Sequence, residues 1–276
     1  MTIDRNTKVC TIDDVMETFK LTTGRSRSRA TKAANFLEEE KIFPLTYGNP
    51  KLAPLNVLGL LVYLTGNLRN TEQSYRAAIS CKGNHARSVF PSLEDALNIS
   101  LPPVENDSHI IGRNGSLYGR LLFATGYPVS SGTSAERETK AKIGTKLPPY
   151  LANIISGWND LTMENREVCA KYIRDFLSTL MDARSGYNKR SFRVSTLCQP
   201  NETLVEEQLG QIKQTFKCLY GNIIDPDSWA CSVVSSCRPL AGKITIPSED
   251  VYKLATKTHL PIKVEICQTA PKYSFT

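Results

Sequence analysis

The sequence predicts a mainly α protein with a small α+β portion at its C-terminal end. Apolar residues recur at helical spacing over residues 11–21, 28–41, 54–65, 150–158, 162–183 and 203–219. Clear alternation of apolar and polar residues appears only after residue 190. The one sustained apolar run, Leu55 to Leu64, is far short of the roughly twenty residues that span a bilayer, so it reads as a buried helix.

Taken in order, the first helix begins behind Thr11, with Asp13 and Asp14 in its first turn, where the helix dipole favours acids. Ile12, Val15, Met16 and Phe19 share one face. Thr22-Thr23-Gly24 ends it, and a second helix starts near Ser26 or Ser28 with Ala30, Ala33, Ala34 and Leu37 inward. Between Thr22 and Lys32 there are four cations, Arg25, Arg27, Arg29 and Lys32, and no acid. With the buried Leu55–Leu64 helix behind it, this N-terminal unit resembles a helix-turn-helix module in outline. That resemblance implies base contacts from the start of the second helix, around Lys32 and Asn35, and phosphate contacts from the turn.

Beyond Gly66 the sequence suggests a turn at Asn67–Asn70, a short helix over Thr71–Ile79, and a second basic patch at Lys82 and Arg87. Leu101 to Gly115, rich in Pro, Asn, Asp and Gly, reads as irregular. Ser116–Thr125 fits a helix or a strand. Residues 131–149, flexible, then charged, then closed by Pro148-Pro149, read as a linker or exposed loop between a basic helical domain, 1–130, and a second domain, 150–276. That second domain opens on a helix pair, 151–158 and a longer one capped by Thr162. A strand at Ser191–Leu197 follows, then a helix with Thr203 and Glu206 as a capping box. Strands at Trp229–Val234, Lys243–Ile246 and Ile262–Cys267 enclose a short helix at Asp250–Thr256. Tyr187, Lys189, Arg190, Phe192 and Arg193 interleave aromatic and basic side chains, a pattern that can stack bases and hold phosphates.

A net charge of +7 permits a polyanionic partner without requiring one. The chain opens without an apolar signal segment, and its eight cysteines form no C-x-x-C pair. They read as free thiols in a reducing compartment, hence an intracellular soluble protein without integral membrane association. Cys218, Cys231, Cys237 and His259 are too widely spaced for a structural zinc site. There is no nucleophile elbow and no phosphate loop, and Asp225, Asp227 and Glu265 lack the rest of a nuclease-like cluster. The expectation is therefore a non-enzymatic nucleic-acid-binding protein with no cofactor and no metal, favouring DNA over RNA and open to homo-oligomerisation. A phage- or plasmid-type transcriptional regulator is the first form of that expectation. A self-assembling viral matrix or nucleocapsid protein, binding RNA or membrane without sequence preference, is the alternative.

Overall fold

A computed structural model describes residues 3–20, 26–71, 74–80, 87–104, 107–129, 147–188, 191–234 and 240–262. In chain order the elements are β1 (Lys8–Cys10), α1 (Ile12–Lys20), α2 (Ser26–Glu39), β2 (Leu45–Thr46), α3 (Leu52–Thr65), β3 (Asn67–Thr71), β4 (Ser74–Ser80), α4 (Phe90–Leu97), β5 (Ser108–Ile110) and α5 (Gly115–Ala124). Then come α6 (Pro149–Ser156), α7 (Met163–Arg184), β6 (Ser185–Asn188), β7 (Ser191–Ser195), α8 (Glu202–Tyr220), β8 (Ala230–Val234), β9 (Ala241–Ile246) and α9 (Ser248–Lys257).

The strands form three antiparallel sheets: β1-β2, β3-β4-β5 and β6-β7-β9-β8. This overturns the mainly α expectation. The molecule is α+β, and two of its sheets lie in the half read as purely helical. Asn67–Asn70 and Thr71–Ile79, expected as turn and helix, pair instead as the β3–β4 hairpin. Tyr75, Ala78 and Ile79 fit a helix face, but the burial follows a period of two: Tyr75, Ala77 and Ile79 are buried and Arg76 is exposed.

The helix-turn-helix outline is corrected too. α2 packs on α1 and α1 on α5, whereas α3 packs against α7, β3, β4 and α4. Helix α3 is apolar all round because it is covered on several sides; Leu52, Leu55, Leu58, Leu60, Leu61, Val62 and Leu64 are all buried. Each such side chain contributes about 2 kcal/mol of transfer free energy. The turn expected before α2, residues 21–25, lies outside the described residues, as do most of the expected linker or exposed loop, 131–146, and the last expected strand beyond Ile262.

Other elements form for the reasons the sequence gives. Thr162 caps α7, its hydroxyl accepting from the Asn165 N–H at 3.3 Å. Helix α8 starts earlier than the capping-box reading, because the Asn201 side chain accepts from the Leu204 N–H at 3.0 Å.

The helix and sheet order repeats. Helix α3, the hairpin β3–β4, α4, β5 and α5 match α7, β6–β7, α8, β9 and α9, with β5 beside β4 as β9 is beside β7. The counterpart of β8 is reduced to residues 102–104, held to β5 by the Pro103–His109 bridge and by Val104 N–H donating to the Ser108 carbonyl at 2.7 Å. The two lead helices run parallel. Asn56 on α3 meets Tyr172 and Asp175 on α7, and Leu64 near the end of α3 meets Arg184 at the end of α7. Both hairpins therefore leave the same end of the helix pair.

Between these helices lies a buried polar network. Asn56 is fully buried; its amide accepts from the Tyr150 hydroxyl at 2.6 Å and donates to the Asp175 carboxylate at 3.2 Å. The Tyr127 and Tyr150 hydroxyls sit 2.7 Å apart, and burial pushes both above the ordinary phenol range, so they remain protonated.

Candidate nucleic-acid interface

Each of the two larger sheets turns one face toward helices and the other toward solvent. In the first, Leu68, Tyr75, Ala77 and Ile79 point inward. Register then places Asn67, Arg69, Arg76, Ala78, Ser80, Ser108 and Ile110 on the open face. In the second, Phe192, Val194, Ile244 and Ile246 point inward, and Arg193, Ser195, Lys243, Thr245 and Ser232 share the open face.

Not one Asp or Glu stands in the seven strands of these sheets, although the chain carries 27 acids. The strands do carry Arg69, Arg76, Arg193 and Lys243, all on open faces. Arg69 lies directly opposite Arg76, both exposed. Like charges paired across strands are destabilising unless an anion lies between them. Arg193 neighbours Lys243 diagonally across β7 and β9. Among the described residues, none of these four cations forms an ion pair. The Arg193 Nε is buried and without a hydrogen-bond partner among them.

The residues read from the sequence fall into three groups. Arg29, Lys32 and Asn35 are exposed on α2, while the side chains of Arg25 and Arg27 lie outside the described residues. α2 packs on α1, and α1 is attached on the helical side of the first sheet. There the buried Arg120 of α5 donates to the Thr18 carbonyl and lies 4.0 Å from the Phe19 ring and 5.0 Å from the Tyr75 ring. Burial lowers the Arg120 pKa from its ordinary value. Of the second patch, Arg87 pairs with Asp107, and Lys82, Lys189 and Arg190 lie outside the described residues. Arg193 stands on the open face of β7, whereas Phe192 and its cross-strand partner Tyr187, edge-on 5.1 Å apart, lie on the opposite face.

Arg69, Arg76 and Lys243 were not singled out from the sequence. Their signal was a basic residue at alternate positions of a strand, hidden by reading residues 67–79 as turn and helix. The carboxylates weighed for catalysis have structural roles where described: Asp225 caps a short 3-10 turn and Asp227 pairs with Lys217. No group of three or more His, Cys, Asp or Glu poised for a metal occurs among the described residues. Cys10, Cys169, Cys198, Cys218 and Cys231 are free thiols. No described helix is long and apolar enough to cross a membrane.

No family model and no curated protein matches the chain. Solved structures do resemble it. I-DmoI in complex with DNA and Ca is 14% identical with a TM-score of 0.44, covering 80% of this chain and 98% of that one. I-DmoI in complex with DNA and Mn is 14% identical with a TM-score of 0.39, covering 75% and 97%. A structure of mesophilic variants from the homing endonuclease I-DmoI is 14% identical with a TM-score of 0.43, covering 76% and 99%. Likeness at this level carries no argument about what this chain does. The structures found being those of an endonuclease, the expectation of a non-enzymatic protein is not kept.

Proposed function

We propose that this protein binds duplex DNA through the open faces of its two larger sheets. The observation that carries the reading is the absence of acids from seven strands that place Arg69, Arg76, Arg193 and Lys243 on open faces. The major groove of B-DNA, about 12 Å wide, admits a two-stranded β-ribbon. The deep, narrow major groove of duplex RNA does not. Hydroxyls at Ser80, Ser108, Ser195, Ser232 and Thr245 add donors and acceptors for phosphate or base edges. The exposed stripe Arg29, Lys32 and Asn35 on α2, preceded in sequence by Arg25 and Arg27, supplies a separate contact to the phosphate backbone.

The test is filter retention of duplex DNA, duplex RNA and single-stranded RNA over a series of salt concentrations. Duplex DNA is expected to bind best, with affinity falling steeply as salt rises. Arg69→Ala with Arg76→Ala should reduce the log–log slope by about 1.8, from about 0.9 per phosphate contact. An unchanged slope in that variant, and in Arg193→Ala with Lys243→Ala, defeats the sheet reading. Arg29→Ala with Lys32→Ala tests the α2 contact in the same way. The narrower roles separate in the same assay: a regulator prefers one duplex sequence, and an assembly protein retains single-stranded RNA equally. Running the products on a denaturing gel after incubation with Mg2+ reports any strand cleavage.

A further inference from the structure

The open face of the first sheet changes chemistry along its strands. Register orders it in three rows. Arg69 lies opposite Arg76; Asn67, Ala78 and Ile110 form the next row; Ser80, Ser108 and Val104 form the third. Val104 is 55% exposed and Ile110 45%. They are two of the four large hydrophobic side chains left exposed among the described residues, and they are diagonal neighbours on one face. The other two, Met163 and Tyr252, stand at the start of α7 and on α9. Single exposed apolar residues are ordinary, whereas neighbours on a flat, otherwise polar face mark a contact surface. Among the described residues the second sheet exposes no large apolar side chain in this way: its open face carries Arg193, Ser195, Lys243, Thr245 and Ser232, and Val234 on the same face is half-buried.

We propose that Ile110 and Val104 form an apolar contact for thymine 5-methyl groups in the major groove, beside the guanidinium pair Arg69 and Arg76. This rests on the sheet face being a DNA face. In the major groove thymine is the only base carrying a methyl group, and apolar side chains recognise it, while arginine pairs with guanine O6 and N7. Successive rows on a strand face are roughly 7 Å apart, a spacing of about two base-pair steps where the strands follow the groove. The first sheet therefore prefers a thymine near a guanine, and the preference belongs to this half of the protein.

The experiment uses duplexes enriched by the full-length protein from a random pool, remade with uracil in place of thymine. Uracil removes only the methyl group and leaves base pairing intact. The parent protein should bind the uracil duplex roughly fourfold more weakly per contacted thymine, the worth of one buried methyl. Ile110→Ser should bind the thymine duplex more weakly and lose the difference between the two duplexes. Ile110→Val, which keeps an apolar branched side chain, should retain it; matching melting curves confirm that both variants fold. Equal binding of both duplexes by the parent overturns the inference and leaves the DNA reading intact, as does an undiminished difference in Ile110→Ser. Failure of any duplex to bind at low salt defeats the DNA reading itself.

Discussion

Residues 52–124 and 163–257 pass through the same order of helix, hairpin, helix, strands and helix, yet they are finished differently. In the first unit the middle helix α4 has 8 residues and the strand after it is cut to 102–104, two of whose three residues are Pro102 and Pro103. In the second, α8 has 19 residues and β8 is a full strand of 5. The junctions between lead helix and hairpin differ as well. At the first, Gly66 lets β4 come so close that an added Cβ would lie 1.8 Å from the Ala78 carbonyl oxygen. At the second, an added Cβ on Gly186 meets nothing within 4 Å, and Arg184 reaches across to donate to the Leu64 carbonyl at 2.8 and 3.1 Å. The roomier junction thus supplies the side chain that satisfies the end of the tighter one. One topology accommodates two surface chemistries because the inward faces carry the packing, and the open faces are left to vary.

The largest effect expected from this comparison is at the junctions. Gly66→Ala should lower unfolding free energy by about 3 kcal/mol or more, because backbone must move to admit the methyl. Gly186→Ala should change it by no more than about 0.5 kcal/mol. Urea midpoints with matched slopes decide this, and equal losses at the two sites would remove the distinction.

Next comes the polar seam that joins the units. Asn56→Ala leaves the Tyr150 hydroxyl and the Asp175 carboxylate without the partner they share. A loss of about 2–3 kcal/mol follows from the unsatisfied buried groups. Thermal melts should show one transition shifted down; a melt unchanged within error would mean that the seam contributes nothing to stability.

A smaller effect is expected from pH. Burial raises the Asp175 carboxyl from 3.8 to about 6. Because the folded state holds this proton more tightly than the unfolded one, protonated Asp175 stabilises the fold. That stability is complete below about pH 4 and is lost as pH rises through 6, with an upper bound of about 3 kcal/mol. Relative to the parent, Asp175→Asn should gain stability between pH 4 and 7, since its neutral amide carbonyl can still accept from Asn56. Parallel stability curves for parent and variant would place the Asp175 pKa near its ordinary value.

The smallest stability effects belong to the open faces. Arg69→Ala with Arg76→Ala, and Arg193→Ala with Lys243→Ala, should each alter unfolding by within about 0.5 kcal/mol. Losing the opposed Arg69 and Arg76 should favour folding slightly more than losing the diagonal pair. Calorimetry of the two double variants makes that comparison, and a clear loss in either would show that its cations are structural.

Residues with long periodic context were legible in the sequence. The α3, α7 and α8 helices, the Thr162 cap and the β7, β8 and β9 strands follow from local pattern and capping chemistry. The segment around Tyr75 was not, because positions i and i+4 share a face in both a helix and a strand, and nine residues hold too few repeats to separate the two periods. The candidate site was partly legible. Arg193, the exposed Arg29 and Lys32, and the polar Asn35 beside them could be singled out as a basic, polar surface, but nothing local distinguished Arg69 or Lys243 from ordinary solvated charge.

What the sequence by itself determined is which stretches must be buried: a helix with apolar residues on every side, as α3 has, cannot lie on a surface, whatever covers it. What only tertiary structure decided is the cover, α7 on one side and a sheet on another, and with it which strand faces stay open. Strand pairing brings together residues far apart in the chain, and a one-residue shift in register would turn Arg76 inward and Tyr75 outward. The alignment of Ile110 with Ala78 is therefore a product of non-local pairing, while that of Arg69 with Arg76 is set by the register of one hairpin, and the acid-free face needs both.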